Sequence, residues 1–490
     1  MVIIKMGFDI VKIDNMPIIG SLTKDQENAY KSLIKFIKAP YNQKDYKRAL
    51  CGAAGTGKTY LVKALIRNCG LSYSVIGLSA PTHKACRVLS ESIELPNIKV
   101  NTLQSDLGLK LNFNVEKFDI RNPPFDPHGR IKIGDYKLYI VDEASMINKE
   151  LCKFLEKTCV SNQCKIIYIG DDYQLSPVGE NYSTAFKSTK CYYLREIVRQ
   201  EEDNPIRQLL DLLRFDIEHR TFRFLEHISK VRSQFDSNEI KGYKVCTQNE
   251  FNNLVYNNFN DPELTRNVDF VKVIAYTNAV VSNWNKLIRN AIIDKAETSI
   301  ITNNDLIISY TTLVNGFGEC VITNSEDYII KDVVNYTHPK YAIKGFIVRF
   351  QAIHGGKISS PLFVVDHKDP NSIRMYLNLS EKFIDIAKNA SAKTRAQAWR
   401  DYYSFKEGCL LLANIVKADG TILYNRDLDY GFSLTSHKSQ GSTFDTVFVD
   451  VNDIVYDRNG QLYTDAEQIN RRLYVACSRA KYKLYLKFGN

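Results

Sequence analysis

Gly52-Ala53-Ala54-Gly55-Thr56-Gly57-Lys58-Thr59 has the residue types and spacing of a loop that holds a polyphosphate. Glycines let backbone N–H groups close around phosphate oxygens at a helix N-terminus, a lysine adds a positive charge, and a threonine hydroxyl can ligate magnesium. The loop follows a short apolar run and precedes the helical stretch Tyr60 to Arg67, the context such a loop needs. Downstream, Leu138-Tyr139-Ile140-Val141 runs straight into Asp142-Glu143. A buried strand would deliver both carboxylates to the same sheet end, Asp142 to hold magnesium through water and Glu143 to orient and deprotonate an attacking water. Taken alone, an acidic pair after a strand is an ordinary solvated strand end; the upstream phosphate loop reverses that reading. Gln174, in Gly170-Asp171-Asp172-Tyr173-Gln174-Leu175-Ser176-Pro177-Val178, follows another buried run and can hydrogen-bond a terminal phosphate. Arg199 and Arg479 are either surface salt-bridge partners or, if a second domain faces the first across a cleft, guanidinium groups that neutralise the transferring phosphate.

Parallel strands would position these groups. From Arg48 to Gly170, short apolar runs (Arg48 to Cys51, Ser74 to Leu78, Leu138 to Val141, Lys165 to Ile169) alternate with helical stretches, and each run ends in a polar cluster, where open parallel sheets place ligands. A second such region begins near Cys191, includes Val271 to Tyr276, pauses, and resumes with Phe432 to Leu434 and Thr446 to Val451. The interval from Ile301 to Tyr424 has hairpin-like pairs around Asn315-Gly316 and Asn324-Ser325 and a polar helical segment from Glu381 to Phe405, and reads as a mainly β insert. A smaller insert, Lys110 to Gly134, reads as a projecting hairpin. The expected fold class is α/β: two parallel-sheet domains at 1–186 (with 110–134 as the hairpin) and at 187–300 plus 425–490, with the β insert at 301–424.

The 490 residues exceed one typical core, and 44% hydrophobic with 24% charged residues suits packed domains rather than a disordered tether. A net charge of +10 suits a polyanionic partner without specifying one. Eleven scattered cysteines with no Cys-x-x-Cys pair, and eight histidines without zinc spacing, point to a reducing compartment and no structural metal. No apolar run approaches the roughly 20 residues of a membrane helix, so a cytoplasmic protein is expected.

The order and wording of these segments resemble the superfamily 1 helicases along nearly the whole chain. Leu22-Thr23 with Gln26 resembles the adenine-reading Q motif, Ala80-Pro81-Thr82-His83-Lys84-Ala85 motif Ia, and Asn101-Thr102-Leu103-Gln104-Ser105 motif Ib. Asp142-Glu143-Ala144-Ser145-Met146 resembles motif II, the Gln174 segment motif III and the Arg199 segment motif IV. Thr435-Ser436-His437-Lys438-Ser439-Gln440-Gly441-Ser442-Thr443 and the Arg479 segment resemble motifs V and VI. The wording of motifs Ia and V is similar to class B members of the RecD and Dda type, as are Ala275-Tyr276-Thr277-Asn278 and Ala398-Trp399-Arg400-Asp401-Tyr402-Tyr403; Gln104 departs from the histidine common in motif Ib.

The resemblance implies two RecA-like domains, with ATP and magnesium in the cleft between them, and an SH3-like insert with a helical arm. Gln26, residues 52–59 and Gly441 would hold the nucleotide, with Thr59 and Asp142 on the metal. Single-stranded DNA would cross Pro81, Thr82, His83, Thr102, Gln104, His437, Lys438 and Ser439, whose hydroxyls, rings and nearby N–H groups meet phosphates without reading sequence. The hairpin would split duplex junctions with a ring at Phe113, Phe118 or Phe125, Phe118 first among them. The implied activity is 5′ to 3′ translocation and unwinding by a monomer in replication or recombination, of the compact virus-encoded kind, with a single-strand-binding protein as a partner. An RNA or dual-specificity helicase, and a non-unwinding DNA-stimulated ATPase, remain open from these residues.

Overall fold

The computed structural model describes residues 22–489 except 96, 112–124, 128, 178, 181, 188, 197–203, 315–319 and 353–357. Its first sheet is wholly parallel, in the order Val100–Thr102, Ile76–Ala80, Leu138–Val141, Lys165–Gly170, Lys47–Gly52 and Lys190–Leu194. Leu138–Val141 and Lys165–Gly170 are buried at every position, which is why they read as continuous rather than alternating apolar runs. Lys165 is buried too, its Nζ donating to the carbonyls of Phe36 (2.6 Å) and Ile37 (3.1 Å) at the end of helix Lys24–Lys38. That helix opens with a capping box: Thr23 Oγ1 accepts from Gln26 N, and Gln26 Oε1 accepts from Thr23 N.

Two boundaries differ from the sequence expectation. The strand Lys190–Leu194, expected near Cys191 to open the second domain, pairs in parallel with Lys47–Gly52 and completes the first sheet, so the first domain runs past residue 186. Leu428–Tyr430 pairs with Leu306–Ser309, so the β insert runs past residue 424. Both are short runs whose side is chosen by pairing partners far away in sequence, which local pattern does not encode.

The second sheet runs Ser433–Thr435, Val271–Ala275, Phe444–Asp450, Ala480–Lys487 and Gly242–Cys246, all parallel, with Ser233–Phe235 antiparallel at one edge. Its strands come from both sides of the insert. The insert is a five-stranded antiparallel sheet, Leu362–Val365, Lys344–Ala352, Asp327–Thr337, Leu306–Ser309 and Leu428–Tyr430. The expected polar helical segment from Glu381 to Phe405 is two helices, Pro370–Asn389 and Arg395–Glu407, packed together through Ala387, Ala398, Trp399 and Tyr402. The foot of the smaller insert is an antiparallel pair, Leu109–Leu111 with Phe125–Pro127. Phe113, Phe118, Arg199 and the Asn315-Gly316 pair lie outside the described residues, as does the Phe125 side chain.

Asp327, at the first position of an insert strand, ties all three units together. One oxygen accepts from Lys84 Nζ of the first domain (3.1 Å), and the other faces Lys272 Nζ of the second (3.7 Å). Both ammonium groups also lie over the Phe444 ring, at 5.5 and 5.3 Å. Lys272 donates as well to the Gly431 carbonyl (2.7 Å), and the neighbouring Glu326 pairs with Arg87. Burial works against the Lys84 charge, but Asp327 and Asp269 outweigh it and raise its pKa.

Candidate nucleotide cleft and nucleic-acid interface

The phosphate loop leaves the strand Lys47–Gly52 and enters helix Lys58–Asn68. Gly55 and Gly57 lie at φ +84° and +78°, which side chains rarely tolerate. At Gly52 a Cβ would come within 2.9 Å of the Leu194 carbonyl and 2.6 Å of Thr56 Oγ1, so the strand that completes the sheet also requires this glycine. Ala53 and Thr56 are buried, whereas Ala54 is exposed. Lys58 Nζ donates back to the carbonyls of Gly52 (2.6 Å) and Ala53 (2.9 Å), closing the loop on itself. Gln26 is buried beside the loop: its Oε1 is taken by the capping box, and Nε2 donates to the Thr56 carbonyl (2.9 Å). It thus ties the first helix to the phosphate loop.

Asp142 and Glu143 stand at the end of Leu138–Val141. Asp142 N donates to the Ser79 carbonyl (2.8 Å), and Asp142 Oδ1 accepts from Glu143 N (2.9 Å). Glu143 has φ +49°, an uncommon conformation for a residue with a side chain and one that functional sites often retain. Burial first, and then the Asp142 charge, push the Glu143 carboxyl up to about 7, against Arg479 and Lys58. Asp142 is raised by the same burial, with Lys58 opposing. Among the described residues no group of three or more His, Cys, Asp or Glu is arranged around one metal point.

The second domain closes over this floor. Gly441, at φ +73°, lies where a Cβ would sit 3.9 Å from both Glu143 Oε1 and Ala85 Cβ. Arg479 is buried, with Nε on the Val475 carbonyl, Nη1 on the Ser442 carbonyl (both 3.0 Å) and Nη2 on Ser478 Oγ (2.8 Å), and its charge bears on Glu143. Gln174 is buried with its Oε1 unpartnered, while its Nε2 reaches Asp171 (3.4 Å). The loop around it is clamped from the second domain: Tyr474 donates to Asp171 (2.9 Å), Arg471 Nη1 to the Gln174 carbonyl (2.9 Å), and Gln440 Nε2 to the Leu175 carbonyl (3.1 Å). Sequence reasoning missed all three. The legible signal was the Arg471-Arg472 pair in the turn before Tyr474, inside the helix that leads to Arg479.

The residues assigned to a strand divide into two groups. Pro81, Thr82, His83, Thr102 and His437 are half-exposed at strand ends, and Gln104 is exposed. Thr82 and Thr102 also cap helices, accepting from Ala85 N (3.2 Å) and Ser105 N (3.3 Å), which leaves their hydroxyl protons to donate elsewhere. Lys438 and Ser439 depart from expectation. Ser439 is fully buried and its Oγ donates to the Ser436 carbonyl (2.9 Å), while Lys438 Nζ donates to Asn324 of the insert (3.0 Å) over the Tyr310 ring. The tight turn after Ser433–Thr435 points these two side chains inward and toward the insert, and burial holds the Lys438 ammonium down to about 8.

Two parallel sheets meeting over a phosphate loop define a two-lobed P-loop protein. Residues 21–235 match the AAA domain family, and residues 430–487 match the UvrD-like helicase C-terminal domain. The ATP-dependent DNA helicase dda of Enterobacteria phage T4 is 24% identical over 95% of this chain and 98% of its own length. An uncharacterised protein of Acanthamoeba polyphaga mimivirus is 26% identical over 92% and 98%. The Pif1 helicase structure from Candida albicans covers 96% of this chain and 94% of its own, at 18% identity and a TM-score of 0.46. Along both matched regions the chain is thus similar to ATP-dependent DNA helicases of the RecD and Dda type.

Proposed function

We propose that this chain is an ATP-dependent DNA helicase that hydrolyses ATP between its two parallel-sheet domains and moves along single-stranded DNA, 5′ to 3′, separating the complementary strand. The supporting observation is the approach of Gly441 and Arg479 from the second domain to Glu143 on the first. Opening or closing this cleft moves Thr82, His83 and Thr102 relative to His437, so a nucleotide state becomes a step along the strand.

In this reading residues 52–59 cradle the phosphates, and Lys58 exchanges its loop carbonyls for phosphate oxygens. Gln26 sets the loop from behind; Gln174, with a free Oε1, faces the terminal phosphate, and Arg479 neutralises it. Glu143, with its proton affinity raised, accepts the proton of the attacking water. Two adjacent half-buried carboxylates opposed mainly by Lys58 and Arg479 suit a magnesium ion, which Thr59 and Asp142 would hold and which would supply charge neutralisation at the phosphates. Arg199 is proposed for the same cleft by family order alone.

Relatives in phage T4 and mimivirus fit a virus-encoded replication or recombination enzyme, working as a monomer in the host cytoplasm beside a single-strand-binding protein. Among the described residues no helix is long and apolar enough to cross a membrane. The deciding experiment is unwinding of duplexes carrying either a 5′ or a 3′ single-stranded tail, with and without ATP. Unwinding of the 5′-tailed duplex only with ATP is the expected result. ATP hydrolysis without strand separation would leave a DNA-stimulated switch, and preference for an RNA tail would change the substrate.

A further inference from the structure

Helix Ala466–Cys477 carries two consecutive arginines, which the helical step of about 100° per residue turns in different directions. Arg471 is committed to the cleft, bonded to Glu467 and to the carbonyls of Asp172 and Gln174. Arg472 has no such commitment. Its guanidinium lies 3.8 Å from the centre of the Tyr276 ring and 5.7 Å from that of Tyr463, two rings that meet edge to face at 5.7 Å. Its Nε is buried with no acceptor, and no carboxylate among the described residues forms an ion pair with it. Aromatic faces hold a guanidinium flat but satisfy none of its in-plane N–H groups. A half-buried cation with a rigid support and an unsatisfied donor edge is arranged for an anion that arrives from outside.

The place of this stack in the fold tells which anion. Tyr276 follows the strand Val271–Ala275 and His437 follows Ser433–Thr435; the two strands are parallel neighbours, with Ala275 beside Thr435. Both residues therefore emerge side by side at the carboxyl edge of the second sheet. The corner is rigid because Asp453 accepts from Tyr276 N (2.7 Å), Thr277 N (2.8 Å) and the Thr277 hydroxyl (2.7 Å); the carboxylate whose charge bears on Arg472 is Asp465, which accepts from Gln468 N (3.0 Å) as the cap of the same helix. The charges bearing on Glu143 are those of Asp142, Arg479, Lys58 and Asp171, whereas the Arg472 charge bears on His437. Arg472 thus belongs to the strand face, outside the nucleotide cleft. Burial first, and then that charge, lower the His437 pKa and so favour the neutral ring, which can donate to a phosphate without adding a second cation beside Arg472.

We propose that Arg472, held over the Tyr276 ring with Tyr463 at its side and beside His437, is a phosphodiester ligand of the bound single strand, gripping one backbone phosphate from the second domain. This rests on the single-strand reading above and adds to it a cationic contact that the sequence motifs leave out. A planar guanidinium presents two parallel N–H groups to phosphate oxygens and reads no base, as a sequence-independent motor requires.

The test is fluorescence anisotropy of the full chain with a fluorescein-labelled 15-residue oligothymidylate over a range of salt, alongside binding of a fluorescent ATP analogue. Arg472→Gln keeps the stem on Tyr276 but removes the charge; it should bind the oligonucleotide several-fold more weakly, with the slope of log affinity against log salt shallower by about 0.7. Arg472→Lys should retain the wild-type slope with reduced affinity, because the charge stays and the flat fork is lost. A wild-type slope in Arg472→Gln overturns the proposal, and so does weaker ATP-analogue binding with that slope unchanged, which would assign the guanidinium to the nucleotide. A wild-type protein that fails to bind the oligonucleotide overturns the single-strand reading itself, and the proposal with it.

Discussion

The Lys58 charge bears on Glu143, but the two do different chemistry, and single substitutions separate them. Lys58→Ala removes the one cation of the phosphate loop and should abolish hydrolysis together with tight binding of a fluorescent ATP analogue. Glu143→Gln keeps the shape of a side chain held at positive φ and removes only its basicity, so hydrolysis should be lost while nucleotide is retained. Full-rate turnover in Glu143→Gln would take that residue out of the proposed role. Arg479 is the counterpart from the second domain. Arg479→Ala should slow DNA-stimulated hydrolysis by roughly a thousandfold, the scale of arginines that stabilise transferring phosphate, and a normal rate would move Arg479 to a structural role.

At the scale of elements, helix Ala466–Cys477 bridges the cleft, because Arg471 and Tyr474 hold the Asp171–Leu175 loop of the other domain. Arg471→Ala removes charge-assisted hydrogen bonds worth about 1.5–3 kcal/mol. Because those bonds join the domains rather than touch nucleotide, the loss should fall on turnover, lowering kcat about tenfold or more with little change in ATP-analogue affinity. Equal losses in both would mean that the arginine supports the binding site itself. The hairpin rooted at Leu109–Leu111 and Phe125–Pro127 is the element proposed to split a junction. Phe118→Ala, the substitution of the ring preferred from the sequence, should keep single-strand affinity and DNA-stimulated hydrolysis while unwinding drops several-fold; all three are measured on one preparation, and unimpaired unwinding means another residue is the wedge.

Across the whole molecule, Asp327 holds three units through two buried lysines. Asp327→Ala would take from two buried ammonium groups, Lys84 and Lys272, the carboxylate they share, leaving Asp269 as a remaining counter-charge and costing up to about 3–5 kcal/mol; urea denaturation at pH 7 reads this directly. The same carboxylate predicts a pH dependence. Burial works to raise its pKa, but Lys272 and Lys84 outweigh burial and hold it below the usual carboxylate value. Its contribution is therefore fully present above the unfolded value near about 3.9 and is lost as pH falls through the lower folded value. Asp327→Asn should flatten that acid limb, and an unchanged acid limb would show that the junction carries none of it.

Much of this protein is written locally. A phosphate loop and an acidic pair after an apolar run depend on spacing within ten residues, so Lys58 and Glu143 could be picked out as candidates from type and order, as could the α/β class from its buried strands. Tertiary structure decided what depends on partners distant in the chain. Lys190–Leu194 joined the first sheet because its partner is Lys47–Gly52, and Ser439 turned inward because a nearby carbonyl took its hydroxyl. Lys438 was drawn to Asn324, more than a hundred residues away. Arg471 and Arg472 are adjacent in sequence and identical in type, yet one closes the cleft and the other stacks on Tyr276, because the helical turn gives them different neighbours. Residue type sets which chemistry a side chain can do; the neighbours brought by the fold decide which of it remains free to be done.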